Sequence, residues 1–413
     1  MQKISWRLVL ILGALTAFGS LSVDMYLPSF PTLERELHTT SSAVQFSLAA
    51  FFIGMALGQA IYGPLADRFG RKRPLYVGIV LYVIASLGCA AAENIETLIA
   101  LRFVQAIGGC AGIVIARAMV RDLFDQRDSA KVISMLVLVL GAAPILAPTA
   151  GGYMLQHFSW RAIFLFLALF GIASLCAAVF GLAETLPASA WHTHDKPLRT
   201  AVRIYGQLLL DRRYNGYAIV GAVAQAGLFA YISNSPFVFI KLYGVSEQAF
   251  GVMFGATAFG LIAASQLNHR ALAHWKPDHI LHWVVVVLAV VGLLLLLMAL
   301  TGWGGMLGIW LPLVVYVASL GFSFPNTIAG AMAHQAERAG SASALLGTLQ
   351  FALATLVGSL VSAFHNHTAV PLAAAVATCG CLALLLHRLM IRPLVRDLGM
   401  TESLEDSDLQ MLD

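Results

Sequence analysis

The sequence predicts an all-α integral membrane protein of twelve transmembrane helices in two six-helix halves. Three observations predict it. The first is composition: of 413 residues, 59% are apolar or aromatic and only 11% are charged, against about 25% charged in a soluble domain. That excludes a cytoplasmic globular enzyme, and the same hydrophobicity excludes a disordered chain. The second is the gathering of apolar residues into twelve stretches, each close to the ~20 residues that cross a bilayer as a helix. The third is the longest break between stretches, the polar segment 184–213, which falls in mid-chain.

The stretches fall at 6–27, 43–65, 74–92, 97–120, 130–153, 161–183, 214–240, 248–268, 281–301, 306–330, 341–363 and 369–390. Lys3 and Arg7 precede the first, as in a signal peptide, but the run continues to Asp24 and many spans follow, so it reads as an uncleaved first helix. The chain thus divides into an N-terminal half (1–183), a linker (184–213), a C-terminal half (214–390) and an acidic tail (391–413). These elements leave no room for a large soluble domain. Lys and Arg set the orientation. With both termini cytoplasmic, 20 of the 25 basic residues face the cytoplasm, including Lys196, Arg199, Arg203, Arg212 and Arg213 of the linker. Arg35, Arg161 and Lys241 face outward, and Arg102 and Arg117 stay within the fourth stretch.

Rival chemistries find no support. The five cysteines sit in apolar stretches without a CxxC, so they read as small buried hydrophobes and not as a metal site or disulfide framework. His269, His274, His279 and His282, with Asp278, read as a solvated cytoplasmic loop. The chain has no phosphate-binding GxxxxGK[ST], no GxSxG and no HExxH. No catalytic residues, cofactor or metal are expected.

Asp24, Arg102 and Arg117 are the charges well inside spans, and a charge at mid-bilayer costs at least ~2.5–3.5 kcal/mol, which marks such residues as functional candidates. Asp24 shares a helix face with Ser20, Ala17, Thr16 and Gly13, a small and mildly polar face suited to a cavity or a close contact. Burial disfavours the charged form of a carboxyl, so one acid there can take a proton from one side and release it to the other. Arg102 heads a similar face with Gln105, Ala106 and Gly109. It cannot lose its proton, so it is a fixed charge fit to bias an acid or hold a hydrogen-bond network. Arg117 and Ser20 join them as candidate cavity-facing residues.

The loop Gly63-Pro-Leu-Ala-Asp67-Arg68-Phe-Gly70-Arg71-Lys72-Arg73 resembles the signature loop of the major facilitator superfamily, between spans two and three of twelve. The resemblance implies a fold of two six-helix halves around a central cavity, rocking to alternate access. It also implies a cytoplasmic latch of Gly63, Asp67, Arg68, Gly70 and Arg71, with Asp122 receiving the basic residues. Arg102-Phe-Val-Gln105-Ala106 resembles the family motif whose arginine is linked to proton coupling, with Ala106 in place of the usual glycine. Pro144-Ile-Leu-Ala147-Pro148-Thr-Ala-Gly151-Gly152 resembles the antiporter helix of drug exporters, with Ala147 in place of glycine.

Asp24-Met-Tyr-Leu-Pro28-Ser-Phe-Pro31, Val120-Arg-Asp122, Ser159-Trp-Arg161 and Glu184-Thr-Leu-Pro187 resemble the bicyclomycin-resistance (Bcr/CflA) family of bacterial drug:proton antiporters. This likeness is concentrated in residues 1–190. Some multidrug relatives carry a second acid at the position of Thr16, so Asp24 stands as the one proton carrier. The resemblance implies an inner-membrane monomer whose partners are small-molecule drugs, protons and the lipid bilayer. It implies no nucleic acid, and the proton gradient as the energy source. The second half carries no charges within its spans. Phe229, Tyr231, Asn234, Tyr316, Asn326 and Gln350 are its polar and aromatic residues at mid-span depth and the candidates for an uncharged drug pocket. The alternatives are a proton-coupled nutrient transporter on the same fold, a membrane-embedded enzyme, which would need more intramembrane acids or histidines, and a receptor or scaffold.

Overall fold

The computed structural model describes residues 5–124, 126–186, 197–335, 338–364 and 366–394. The first half consists of α1 (Trp6–Asp24), a 3-10 turn (Leu27–Ser29), α2 (Phe30–Glu36), α3 (Ser41–Phe69), α4 (Lys72–Ala90), α5 (Ile95–Leu123), α6 (Gln126–His157) and α7 (Arg161–Gly181). After α8 (Pro197–Leu210) the second half follows: α9 (Arg212–Ser235), α10 (Glu247–Ala271), α11 (Pro277–Thr301), α12 (Gly305–Met332), α13 (Ala339–Ala363) and α14 (Val370–Leu386). Helix α9 runs on as a π-helical turn, Pro236–Leu242, and α14 as another, His387–Ile391. There is no strand among the described residues. Eleven described segments are long and apolar enough to cross a membrane. Helix α6, one 32-residue helix, is the twelfth expected span.

Local chemistry fixes the helix ends. Thr40, Asn94 and Ser246 cap α3, α5 and α10, accepting backbone N–H bonds of 3.2, 2.8 and 3.2 Å. Gly70 ends α3 with φ of 81°, a conformation that favours glycine. Pro28 stands in the 3-10 turn where α1 stops. Large apolar side chains such as Leu169, Phe180, Leu297 and Leu389 point outward, while Thr16, Ser22, Ser47, Gln105 and Thr257 are buried. That is the arrangement expected where the surroundings are lipid.

Within the first half, α5 packs on α3, α4 and α1, and α1 also packs on α6 and α7. Within the second, α11 packs on α12 and α14, and α9 on α12, α13 and α14. The halves meet where α3 lies on α13 and α6 on α10. Each contact joins the second span of one half to the fifth of the other. At the end of the bundle where α1 stops, the halves are clasped. Lys241 Nζ lies 2.6 Å from Glu34 Oε1, and Thr32 donates to Glu247 at 3.2 Å. Ser42 donates to the Ser362 carbonyl at 3.1 Å.

Two sequence readings are refined. The linker is not all loop: its latter part folds as α8, against α3, α9 and α13, with Leu208 buried and Gln207 accepting from Arg338 at 3.0 Å. Its apolar stripe is too short to cross a bilayer, so span-length apolar runs do not reveal it. The histidines do not share one loop either. His269 ends α10, His279 and His282 begin α11, and the His282 ring lies 5.3 Å from that of His387. Among the described residues no three metal-binding side chains cluster. The tail from 395 onward lies outside the described residues.

Candidate functional site

Asp24 is the last residue of α1 and is 4% exposed. The hydroxyl of Ser20, one turn earlier, donates to its Oδ2. Side chains four apart share a helix face, so Ser20 and Asp24 share one. Ser22 and Tyr26 share another, about 200° round the axis at 3.6 residues per turn. The two faces meet different surroundings.

The Ser22/Tyr26 face looks into the first half. Ser22 and the Tyr82 hydroxyl share a hydrogen bond of 2.7 Å, as do Tyr26 and Ser47. Here Arg102 is completely buried, its guanidinium carbon 4.3 Å from the Phe51 ring centroid, 4.5 Å from Tyr26 and 5.8 Å from Phe164. Its Nη1 donates to Gln105 at 2.7 Å, and Gln105 Nε2 donates to Ser86 at 2.8 Å. Nε and Nη2 have no hydrogen-bond partner. No carboxylate among the described residues stands within ion-pair distance of it. Aromatic faces are what stabilise this desolvated cation. Arg102 and Asp24, the two candidate proton-coupling residues, thus lie in separate networks, Arg102 holding the hydrogen bonds to Gln105 and Ser86.

The Asp24 face looks toward the junction of the halves. Helix α6 closes on it backbone to backbone: a Cβ on Gly151 would lie 2.2 Å from the Met25 carbonyl, and one on Gly152 would lie 2.8 Å from that of Glu247 in α10. Any side chain there would part these helices, which explains the two glycines. Pro148 is buried and Pro144 half-buried on the same helix. Tyr231 of α9 is buried, its ring stacked on Phe254 of α10 at 5.4 Å.

The other candidates scatter. Phe229 bridges the halves, 4.6 Å from Phe52 of α3 and 5.5 Å from Phe351 of α13. Asn234 is buried and donates to Ala230 of its own helix at 3.0 Å. Tyr316 donates to the Ala224 carbonyl at 3.2 Å, holding α12 to α9. Asn326 donates to Asn268 at 2.9 Å. Ten residues separate Tyr316 and Asn326, about 15 Å along α12, so they do not line one pocket. Gln350 is half-buried on α13, and Arg117 is exposed on α5.

The loop after α3 is a compact ionic knot. Arg71, whose side chain is 6% exposed, reaches Asp122 with Nε at 2.8 Å and Nη2 at 3.2 Å, and Asp67 with Nη1 at 2.5 Å. Arg68 is exposed, its guanidinium 5.2 Å from the Phe69 ring, and Gly63 has open space around it. Two members were missed as parts of the knot. Glu184 accepts the N–H groups of Arg71 and Lys72 at 2.9 and 3.0 Å, and Thr185 donates to Asp122 at 2.8 Å. Burial pushes the Glu184 carboxyl up, but the N–H groups of Lys72, Arg71, Leu186 and Thr185 outweigh it and hold it below the usual carboxylate value. A carboxylate at the start of α4 also suits the helix dipole. These bonds join α3, α4 and α5 of the first half to the start of the linker. From the second half, Gly340 of α13 comes near the end of α5: a Cβ there would lie 3.5 Å from Arg121.

Two six-helix halves that meet where α3 lies on α13 and α6 on α10 are the build of a multi-pass membrane transporter. Comparison with known proteins agrees. The sequence profile described as Major Facilitator Superfamily matches residues 10–359. "Bicyclomycin resistance protein homolog" of Haemophilus influenzae is 33% identical over 396 residues, covering 94% of this chain and 96% of that protein. "Uncharacterized MFS-type transporter YdgK" of Bacillus subtilis is 38% identical, covering 89% and 91%. The xylose transporter XylE from E. coli, solved in a partially occluded inward open conformation, superposes with a TM-score of 0.74 at 15% identity, over 94% of this chain and 97% of that one. The chain belongs to the major facilitator superfamily, among its Bcr/CflA-like drug transporters.

Proposed function

We propose that this protein exports small drugs from the cytoplasm or inner leaflet of a bacterial inner membrane in exchange for protons, with Asp24 as the proton carrier. The observation that carries the reading is Asp24 itself: a buried carboxyl, bonded to Ser20, at the contact of α1 and α6 with the second half. The name of the Haemophilus relative supports drug export. Both termini are cytoplasmic on the charge distribution, and one chain carries both halves, so a monomer suffices.

Drug enters while Asp24 is ionised. After the protein turns outward, a proton on Asp24 displaces the drug, and the neutral carboxyl eases the empty return. One charge moved through ~150 mV supplies ~3.5 kcal/mol, enough for a gradient of a few hundredfold. A pocket without charged side chains favours neutral drugs.

The test is drug-evoked dissipation of a preformed pH gradient in everted vesicles, with bicyclomycin, chloramphenicol and a cationic dye. Wild type should respond to at least one, and Asp24→Asn should lose at least about 99% of that response. An Asp24→Asn protein that still moves protons with drug sinks the assignment. Silence of wild type toward the whole panel, with metabolite-driven proton movement instead, would favour nutrient transport.

A further inference from the structure

Under the clasp lies a polar group that the transport reading leaves unused. Three bonds close the clasp into a ring. Ser41 donates to Glu34 Oε2 at 2.6 Å, and Lys241 Nζ donates to Glu34 Oε1 at 2.6 Å and to Ser41 at 3.2 Å. Gln45, one turn after Ser41 on α3, shares its helix face. It is 3% exposed and lines a cleft between the halves, with Phe30, Pro31 and Val44 of the first half and Phe237 and Lys241 of the second. Neither Oε1 nor Nε2 of Gln45 has a hydrogen-bond partner, and both are closed off from solvent. Gln105, as deeply buried, has both ends of its amide bonded.

The clasp therefore carries two opposed forces. The Glu34–Lys241 ion pair favours closure, but its side chains are 23% and 40% exposed, and a pair so open to water contributes little. The orphaned amide opposes closure, because a buried donor or acceptor without a partner forfeits its hydration. An apolar side chain of the same length would carry no such cost here, since Phe30, Val44 and Phe237 offer it apolar neighbours. Parting the halves takes Phe237 and Lys241 out of the cleft and lets water reach the amide. The same movement breaks the ion pair, so the closed and parted forms lie close in free energy.

We propose that Gln45 is the positioning residue that holds the clasp near balance: its amide, unpartnered when the halves close and hydrated when they part, offsets the Glu34–Lys241 pair. This rests on the export reading, in which both termini are cytoplasmic and drug leaves past the clasp. A ligand shifts an equilibrium only by its difference in affinity for the two states. Near balance, a modest preference of drug or proton for one state moves the halves; far from balance it does not. Without the amide the clasp would stay shut, and without the ion pair it would stay open.

Nitroxides at positions 35 and 249, exposed on α2 and α10 at the clasped end, report the parting of the halves by electron–electron distance measurement in liposomes. The exposed Cys176 and half-buried Cys381 are replaced by serine throughout. Gln45→Met keeps the length and removes both polar atoms. It should shift the populations toward the closed form about tenfold. In vesicles it should lower the maximal rate of drug-evoked proton movement without raising the drug concentration for half-maximal rate. Gln45→Asn keeps an amide and should stay within about threefold of wild type. Lys241→Met should shift the populations toward the open form, which keeps that form measurable, and adding Gln45→Met should bring the ratio back toward that of wild type. A merely structural role would lower the melting temperature without moving the ratio. A ratio that Gln45→Met leaves unchanged in both backgrounds, or shifts toward the open form, overturns the proposal. So does a clasp that stays shut in Lys241→Met. The distances need neither drug nor proton gradient. If no drug moves protons in wild type, the export reading fails, and the distances still decide the role of Gln45.

Discussion

The two halves solve the problem of buried polarity in opposite ways. The first half buries formal charges. Asp24 is held by one hydroxyl, Arg102 by three rings, and Arg71 by two carboxylates. The second half buries neutral hydrogen bonds: Trp310 to Thr257, Asn326 to Asn268 and Tyr316 to the Ala224 carbonyl. A charge responds to protons and to the membrane field, whereas a neutral hydrogen bond responds only to its neighbours. On the proposed cycle, the first half takes the energy and the second follows it and shapes the drug site.

The contrast can be broken most strongly at Arg102. Arg102→Ala would leave a cavity and an unpartnered Gln105 Oε1, and the first half should lose on the order of 2–4 kcal/mol, seen as a drop in melting temperature in detergent. Arg102→Met keeps most of the volume and discards a poorly partnered charge, so it should lose less than half as much. Equal losses would mean that the charge itself stabilises the fold. Next in size is Asp122→Asn, which halves the anchoring of the nearly buried Arg71 and should lower stability by about 1–3 kcal/mol. Asp67, with its side chain 70% exposed, should matter far less: Asp67→Asn is expected within about 0.5 kcal/mol of wild type.

In the second half, Tyr316→Phe removes one neutral hydrogen bond and should cost about 1 kcal/mol, with drug-evoked proton movement unchanged. A loss of coupling there would end the division of labour between halves. The smallest effect belongs to Glu184. Its carboxyl is held below the ordinary value of 4.5, so its contribution is present above that value and fades as pH falls through the lower folded value. The exposed group is screened, so wild type should exceed Glu184→Gln by less than about 1 kcal/mol at neutral pH. That difference should vanish in melts well below pH 4.5.

The sequence makes the spans legible because a lipid-facing helix must be apolar over a fixed length, and Pro28 marks the end of α1. It also makes individual site residues legible: Asp24 and Arg102 stand out as charges in apolar runs, and Asp122 through its motif. Their relationships are another matter. How Asp24 and Arg102 stand to each other is not legible, because the neighbours of Ser20 and Asp24 and those of Ser22 and Tyr26 come from elsewhere in the chain. Glu184 lies 113 residues from Arg71, and nothing local to either marks the contact. Tyr231 reads as one of several mid-span aromatics. Only the tertiary fold stacks its ring on Phe254 of α10.

The shelter of Arg102 has a consequence for biosynthesis. Its three rings come from three places in the chain: Tyr26 just after α1, Phe51 in α3 and Phe164 in α7. When α5 leaves the ribosome, two of these are already in the membrane and the third is still to be made. The guanidinium must be tolerated part-sheltered until α7 is inserted. The first six spans thus cannot settle one at a time, and a nascent chain halted between α5 and α7 presents quality-control proteases with an unfinished cage around a bare cation.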